Sequence, residues 1–258
     1  MQSYERVHNA VRGCQVVAHL AALPSVPRSV QDPLTSNATN VTGTLNVLLA
    51  ARDGGVGRLV YASSSSVYGA NPDMPKREEQ PTLPISPYAV AKAAGESYCR
   101  AFHEVFGLET VSLRFFNVFG PGQDPLSQYA AVIPRFITSM LDGESPTIFG
   151  DGEQSRDFTY VDNVLDGVSL ALGTPGNGGK AFNLATGHGV TLNELFRLLA
   201  GILGSEVQPE YAEGRPGEVR HSQADISRAR EALGFEPAIS IEEGLARTVE
   251  SFQRKLAA

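Results

Sequence analysis

The hydrophobic residues of the first half of the chain fall into short runs that are typical of buried strands. Apolar side chains fill residues 16–22 (VVAHLAA) and 59–62 (LVYA) and most of 110–115 (TVSLRF). These runs are continuous rather than alternating, as expected for a parallel sheet that is covered on both faces. The pattern therefore predicts strands of an open parallel sheet.

Segments with a helical period separate the runs. Residues 39–52 place valine and leucine side chains on one stripe, and a Gly-Gly pair follows the stripe. A second helix is predicted after Ser86, an N-cap residue that precedes Pro87 at the first helical position, and Gly107 ends this helix. Strands that alternate with helices indicate βαβ units and hence an α/β fold.

The texture of the sequence changes after about residue 120, where Pro and Gly become frequent and the helical pieces are shorter. We predict two domains: a sheet domain over residues 1–120, and a smaller C-terminal α+β lobe over 121–258, some segments of which return to the sheet. The predicted helices of this half cover residues 133–141, 163–172, 192–203, 227–233 and 241–256, and a short strand covers 182–184.

Composition narrows the class of protein. Of the 258 residues, 42% are hydrophobic and 19% charged, which excludes a disordered or coiled-coil chain. The formal net charge of −7 argues against a nucleic-acid partner, and no apolar run is long enough for a membrane span or a signal peptide. Cys14 and Cys99 form no disulfide framework, and the scattered histidines form no metal site. We expect a cytoplasmic protein.

Tyr88 and Lys92 are spaced as YxxxK in the second predicted helix. Positions four residues apart lie on one face, so the phenol and the ammonium can point into the same space. A tyrosine with its ordinary pKa of about 10 is a poor base at neutral pH, and a nearby Lys⁺ lowers this pKa because it favours the phenolate. The pair predicts a general base, although an exposed helical pair has the same spacing.

A run of four serines, from Ser63 to Ser66, directly follows the predicted strand 59–62. The carboxyl end of a strand is where open α/β sheets bind ligands. A serine hydroxyl at this place can bind the same substrate oxygen as Tyr88. A flexible turn is the alternative reading of such a run.

Eight segments of the chain match one family in order and cover nearly the whole sequence. They read HLAALPSVPRSVQDP, NVTGTLNVLLAAR, YASSSSVYG, PISPYAVAKAAGE, LRFFNVFGPGQDP, AAVIPRF, IFGDGEQSRDFTYVDN and RPGEVRHSQADISRA. With these segments the chain resembles the extended short-chain dehydrogenases/reductases (NAD-dependent epimerases and dehydratases), most closely the sugar-nucleotide 4-epimerases such as UDP-glucose 4-epimerase. The resemblance implies a Rossmann-like parallel sheet, NAD as cofactor and a UDP-sugar as substrate.

The resemblance also implies roles for the residues named above. Tyr88 takes the proton of the sugar 4-hydroxyl while the C4 hydride moves to the nicotinamide. Lys92 holds the nicotinamide ribose and lowers the pKa of Tyr88, and Ser64 is the catalytic serine. Ala21 and Ala22 lie on the cofactor side of the site.

The two residues after Ser64 separate epimerases from dehydratases in this family. Dehydratases carry an Asp-Glu pair there, which supplies the acid and base for loss of water. Here the positions are Ser65 and Ser66, which have no ionisable group and are assigned to the substrate site. The resemblance therefore disfavours dehydration.

Further residues are implied as contacts to the nucleotide sugar. Asn117 matches a contact near the diphosphate, Arg156 and Arg215 match the guanidinium pair on the pyrophosphate, and Glu218 matches the contact to the uridine ribose. Val132 matches a residue beside the uracil, with Phe149 in the same pocket. Ser222 stands beside the sugar 2-substituent, where a small side chain leaves room for an N-acetyl group.

The resemblance leaves one part of the family pattern without a counterpart: the glycine-rich turn between the first strand and the first helix, which binds the cofactor pyrophosphate. We therefore expect an N-terminally truncated Rossmann-like domain that lacks roughly 60 residues, at about 30 per βαβ step. From this we expect weakened NAD binding and reduced activity. We also expect residues 16–22 to form an exposed edge strand that leads to a homodimer or another homo-oligomer.

Three functions remain open at this point. The first is NAD-dependent 4-epimerisation of a UDP-hexose, which covers UDP-glucose, UDP-galactose and their N-acetylated forms. The second is a UDP-sugar-binding remnant with weak or no NAD binding and little catalysis. The third is a dehydrogenase or reductase that uses NAD as an external cofactor.

Overall fold

The structure is a computed structural model that describes residues 1–124, 131–214 and 220–256. It consists of two compact units. Unit 1 comprises Met1–Phe116, Leu165–Leu184 and Asp225–Glu236, and unit 2 comprises Asn117–Val164, Ala185–Ala224 and Pro237–Ala258. The first change of unit, at residues 116 and 117, lies close to the boundary predicted after residue 120.

The elements alternate along the chain. The strands are β1 (Val16–His19), β2 (Arg58–Ser64), β3 (Glu109–Phe115), β4 (Val118–Phe119), β5 (Thr147–Phe149), β6 (Ser155–Arg156), β7 (Thr159–Tyr160), β8 (Lys180–Leu184), β9 (Val190–Thr191), β10 (Glu210–Ala212) and β11 (His221–Ser222). The helices are α1 (Tyr4–Val11), α2 (Val26–Gln31), α3 (Pro33–Asn37), α4 (Gly43–Asp53), α5 (Pro87–Phe106), α6 (Val132–Leu141), α7 (Val161–Gly173), α8 (Leu192–Leu203), α9 (Ser227–Leu233) and α10 (Ile241–Leu256).

Unit 1 is built on a four-stranded sheet with the order β1-β2-β3-β8, in which all neighbouring strands are parallel. Strand β2 is buried over its whole length except for Ser64 at its end, which agrees with its continuous apolar run. This sheet and its helices confirm the predicted α/β, Rossmann-like architecture. Strand β1 is shorter than predicted, because it ends at His19 and Leu20–Ala22 continue as a loop.

Helix α5 packs against β2 and β3. The side chain of Ser86 accepts a hydrogen bond from the backbone N–H of Ala89 at the N-terminus, and Gly107 ends the helix with a φ of 71°. The caps predicted from the sequence therefore set both ends of the helix.

Helix α5 can approach the sheet closely because Gly95 has no side chain. A Cβ at this position would lie 2.3 Å from the Tyr61 hydroxyl.

The helix predicted over residues 39–52 is divided in the structure. A π-helical turn over Ala38–Thr42 precedes α4. Asn40, which is 1% exposed, lies in this turn. Its side chain accepts a hydrogen bond from Leu23 N at 2.8 Å and donates one to Leu23 O at 3.0 Å. The turn thus fixes the loop that follows β1.

Unit 2 contains small sheets around one hydrophobic core. The strand pairs are β10 with β5, β11 with β6, β6 with β9, and β4 with β7. Phe119, Ile137, Leu195 and Leu245 are among the buried core residues, which helices α6, α8 and α10 supply together with the strands. These short strands were not predicted, because their partners lie far apart in sequence.

No helix among the described ranges is long and apolar enough to span a bilayer.

Candidate active site

Unit 1 brings together the three residues that the sequence assigned to catalysis. Ser64 is the last residue of β2, and Tyr88 and Lys92 lie on successive turns of α5. The backbone N–H of Tyr88 donates a hydrogen bond to the Ser29 hydroxyl at 3.1 Å, which ties the start of α5 to α2. Strand β2 and helix α5, which pack against each other, therefore carry the cluster.

The three side chains are in mutual reach. The hydroxyl of Ser64 lies near enough to the phenol of Tyr88 to lower the pKa of this phenol. The ammonium nitrogen of Lys92 lies 5.8 Å from the centroid of the Tyr88 ring and donates a hydrogen bond to the carbonyl oxygen of Ala62 at 2.6 Å. In this arrangement the hydroxyls of Ser64 and Tyr88 can bind the same substrate oxygen, with the Lys92 ammonium beside them.

The electrostatics of the cluster differ from the expectation in one respect. Burial raises the pKa of Tyr88, and the nearby Ser64 hydroxyl opposes this change only in part. The predicted net lowering of this pKa is therefore wrong, because desolvation by burial is the largest influence on the phenol and outweighs the opposing effect of Ser64. Burial also lowers the pKa of Lys92 to about 8, while the negative charge of Glu96 acts in the opposite direction.

The neighbouring serines form the turn that follows Ser64. Ser65–Tyr68 is a 3₁₀ turn, and the backbone N–H of Ser66 donates to the Ser64 hydroxyl at 3.2 Å. The hydroxyl of Ser66 is buried and has no hydrogen-bond partner among the described residues. Ala21 and Ala22 lie in the loop held by Asn40, where Ala21 is exposed and Ala22 half-buried.

Unit 2 contains a cavity of about 220 Å³ beside three of the predicted substrate residues, Asn117, Val132 and Arg156. The other lining residues are Val118, Phe119, Ala131, Ile133, Phe158 and Leu192. Ligand pockets usually measure ~300–1,000 Å³. The volume of this cavity is smaller than that range, so the cavity can hold one ring of a nucleotide but not the whole molecule. The apolar lining suits a nucleotide base, and the Asn117 amide and the Arg156 guanidinium suit the charged groups attached to that base.

The polar residues of this cavity are fixed by backbone contacts. Asn117 has a φ of 32°, and its side-chain amide donates to the carbonyl oxygen of Asp157 at 3.2 Å. The guanidinium of Arg156 donates to the carbonyl oxygens of Ser155 at 2.8 Å and Arg220 at 3.1 Å. Both side chains are thereby oriented before a ligand binds.

The remaining substrate residues are placed differently from one another. Ser222 on β11 pairs in register with Arg156 on β6. Phe149, on β5, is not among the residues that line this cavity, and it pairs in register with Ala212 of β10. Its place beside the uracil stays a prediction. Arg215 and Glu218 lie outside the described residues.

The structure adds residues that the sequence reasoning missed. Glu96 follows Lys92 by one helical turn and forms a buried ion pair with Arg114, so the i, i+4, i+8 series from Tyr88 could have indicated it. Asp157 is fully buried and accepts hydrogen bonds from Thr186 and from two further backbone N–H groups. Its position next to an assigned arginine was the only sequence signal.

Residues 1–185 match the profile of the NAD-dependent epimerase/dehydratase family. The chain belongs to this family. It is 42% identical to the UDP-glucose 4-epimerase of Mycolicibacterium smegmatis over 242 residues, which cover 93% of the chain and 77% of that enzyme.

Solved structures of family members superimpose closely on the chain. A UDP-N-acetylglucosamine 4-epimerase from Methanobrevibacter ruminantium, in complex with UDP-N-acetylmuramic acid, has a TM-score of 0.93 and 44% identity, with 96% of this chain and 80% of that chain covered. A UDP-glucose 4-epimerase from Thermotoga maritima, with UDP-glucose, has a TM-score of 0.94 and 40% identity, with 99% and 83% covered. These relatives are isomerases that act on UDP-sugars.

Part of unit 1 fits the nicotinamide end of NAD. Lys92 has three N–H donors, and among the described residues its hydrogen bond goes to Ala62 O, so donors remain for ribose hydroxyls. A GxxGxxG spacing occurs at residues 173–179, but it follows α7 and precedes β8. The phosphate-binding turn of a Rossmann fold lies between a strand and a helix N-terminus, so this loop does not fit the pyrophosphate.

Proposed function

We propose that the protein interconverts UDP-hexoses by NAD-dependent 4-epimerisation, with UDP-glucose and UDP-galactose as substrates. The observation that carries the proposal is that the Ser64 hydroxyl and the Tyr88 phenol lie close together beside the buried ammonium of Lys92. Two neighbouring hydroxyls next to a cation suit reversible proton transfer at a single carbinol oxygen.

The proposed chemistry divides between the cofactor and the protein. NAD, when bound, would supply reversible hydride transfer at the sugar C4. Tyr88 takes the proton of the sugar 4-hydroxyl and later returns it, and Ser64 holds the same oxygen through a hydrogen bond. Lys92 stabilises the negative charge on the Tyr88 oxygen during the transfer, which offsets the effect of burial on the pKa of this phenol. Hydride transfer on opposite faces of C4 would invert this centre without net oxidation.

The substrate class is supported by unit 2. The cavity wall offers the Arg156 guanidinium, whose planar fork suits a pyrophosphate, and the Asn117 amide. Arg215 and Glu218 are proposed as the second pyrophosphate arginine and the ribose contact. Ser222 is small, so we propose that N-acetylated UDP-hexoses are also accepted.

Two other activities are less well supported. Dehydration requires an acid and a base after the catalytic serine, and Ser65 and Ser66 supply neither. A net dehydrogenase or reductase would need to release the reduced cofactor after each turnover, and no feature of the described site favours that outcome over return of the hydride.

A UDP-sugar-binding protein without catalysis is the main alternative, because the NAD contacts that we assign in this polypeptide lie at the nicotinamide end, around Tyr88 and Lys92. We propose accordingly that NAD binds less tightly than UDP. Calorimetry with UDP and with NAD in separate titrations tests both statements. Binding of UDP together with measurable, weaker binding of NAD supports the epimerase. UDP binding with no NAD binding at millimolar concentration favours the alternative, and the lack of UDP binding contradicts both.

We also propose that the chain self-associates through the outer strand of the unit 1 sheet. Strand β1 is the outer strand among the described residues, and Val16 at its start and Leu20 directly after its end are 46% and 48% exposed. Open strand edges with apolar side chains favour pairing. We expect light scattering to give a dimer or larger species, and Val16→Lys to shift the mass towards the monomer. A wild-type monomer at micromolar concentration contradicts this proposal.

A further inference from the structure

Glu96 continues the line of catalytic side chains along α5. Tyr88, Lys92 and Glu96 occur at intervals of four residues, which places them on successive turns of one helix face. The carboxylate side chain is 12% exposed. A charged group that is buried next to a proton-transfer site needs partners that fix it.

Two side chains of unit 1 fix this carboxylate. Arg114 on β3 binds it with both ends of its guanidinium, with Nε to Oε1 at 2.9 Å and Nη2 to Oε2 at 2.8 Å. The hydroxyl of Ser63 donates to Oε1 at 2.5 Å. Ser63 directly precedes Ser64 in β2. The carboxylate therefore connects the helix that carries Tyr88 and Lys92 to the end of the strand that carries Ser64.

The charge of Glu96 also acts on Lys92. The titratable groups that face the Lys92 ammonium are His19 on β1, Tyr61 on β2, and Tyr88 and Glu96 on α5. Burial lowers the pKa of His19 to about 4, so this ring is neutral at pH 7, and both tyrosines carry raised pKa values and are neutral as well. Among the described residues, Glu96 is thus the anion that favours the charged form of Lys92.

We propose that Glu96 is a positioning residue of the active site: held by Arg114, it keeps the Lys92 ammonium charged beside Tyr88 and anchors the Ser63–Ser64 end of β2 against α5. The catalytic consequence rests on the proposed function. The alternative is that the Glu96–Arg114 pair only stabilises the fold.

The test is a direct titration of Lys92 by NMR in the chain without substrate. The sequence has only four lysines, Lys76, Lys92, Lys180 and Lys255, so selective ¹³C,¹⁵N-lysine labelling gives few signals. Lys92→Met assigns the signal of interest. We expect Glu96→Gln to move the titration midpoint of Lys92 to lower pH by about one pH unit or more, and Glu96→Asp, which keeps the charge, to move it much less.

Glu109→Gln is the matched control. Glu109 also pairs with an arginine of the unit 1 sheet, Arg58, at 2.7 Å, but it does not act on Lys92. If the Lys92 midpoint moves no further in Glu96→Gln than in Glu109→Gln, the proposal is wrong.

Glu96→Gln leaves the Arg114 charge buried and unpaired, which destabilises the fold. A second variant therefore tests the proposal in case Glu96→Gln does not fold. The double variant Glu96→Met, Arg114→Met removes both charges and fills the space with apolar groups, which buried ion pairs tolerate. A wild-type midpoint for Lys92 in this folded variant overturns the proposal, whereas a lowered midpoint supports it.

Activity provides a separate readout. If the protein is an epimerase, activity that needs charged Lys92 falls as pH rises through the pKa of this group, and Glu96→Gln moves this decline to lower pH. We then expect kcat at pH 8 to fall about fivefold, as the charged fraction does for a one-unit move, with KM for the UDP-sugar little changed. Inactive wild-type protein contradicts the proposed function, while the NMR titration still decides the role of Glu96.

Discussion

Replacing Tyr88 with phenylalanine is expected to lower kcat for UDP-galactose conversion by about 10²–10⁴-fold, the usual contribution of a positioned acid-base group. The substitution removes the one phenolic oxygen that contacts Ser64 and leaves the aromatic ring in place. Because the ring still packs beside Lys92, the fold and the affinity for UDP should be preserved. Initial rates at saturating NAD, together with circular dichroism and UDP calorimetry, measure these effects.

Tyr98→Phe is the matched control, since Tyr98 lies on the same helix and is 36% exposed. It should retain the wild-type rate. A Tyr88→Phe variant whose kcat stays within about threefold of wild type would show that another group moves the proton, because such a loss is far below the range for general acid-base catalysis.

Replacing Asp157 with alanine is expected to lower the stability of unit 2 by about 3–5 kcal/mol, because removal of a buried acceptor leaves several donors unsatisfied. The Asp157 carboxylate accepts hydrogen bonds from Thr186 N at 2.9 Å, Thr186 Oγ1 at 2.7 Å, Gly187 N at 3.0 Å and Ala224 N at 3.1 Å. It joins three separate stretches of the chain beside Arg156. We therefore also expect UDP binding to be lost.

Urea unfolding, with hydrogen exchange at residues 186–187 and 224, measures this effect. Asp151→Ala is the control, since Asp151 and its partner Arg220 are both exposed and their ion pair adds little to stability. Equal unfolding midpoints for Asp157→Ala and Asp151→Ala would contradict the role assigned to the buried carboxylate.

The sequence was sufficient to predict the elements whose signals are local. Continuous apolar runs located β2 and β3, and Ser86 and Gly107 set the limits of α5, because capping depends on residues within one turn. The YxxxK spacing likewise fixed the relation of Tyr88 to Lys92, since helical geometry determines it.

Features that depend on distant contacts could not be predicted. The π-helical turn before α4 and the early end of β1 involve the bonds of Asn40 to Leu23, which are 17 residues apart. The raised pKa of Tyr88 results from burial, which a sequence motif does not report. The short strands of unit 2 pair across still longer separations, as β6 does with β11, where the paired Ser155 and His221 are 66 residues apart.

The fate of the hydrogen at C4 tests the proposed epimerisation most directly. Wild-type protein is incubated with NAD and UDP-galactose that carries deuterium at C4, and the product is examined by NMR and mass spectrometry. We predict UDP-glucose with the deuterium retained at C4, no net accumulation of NADH, and almost no product with Tyr88→Phe. A product with hydrogen from solvent at C4, or a wild-type chain that binds UDP and NAD but leaves UDP-galactose unchanged, would contradict the account.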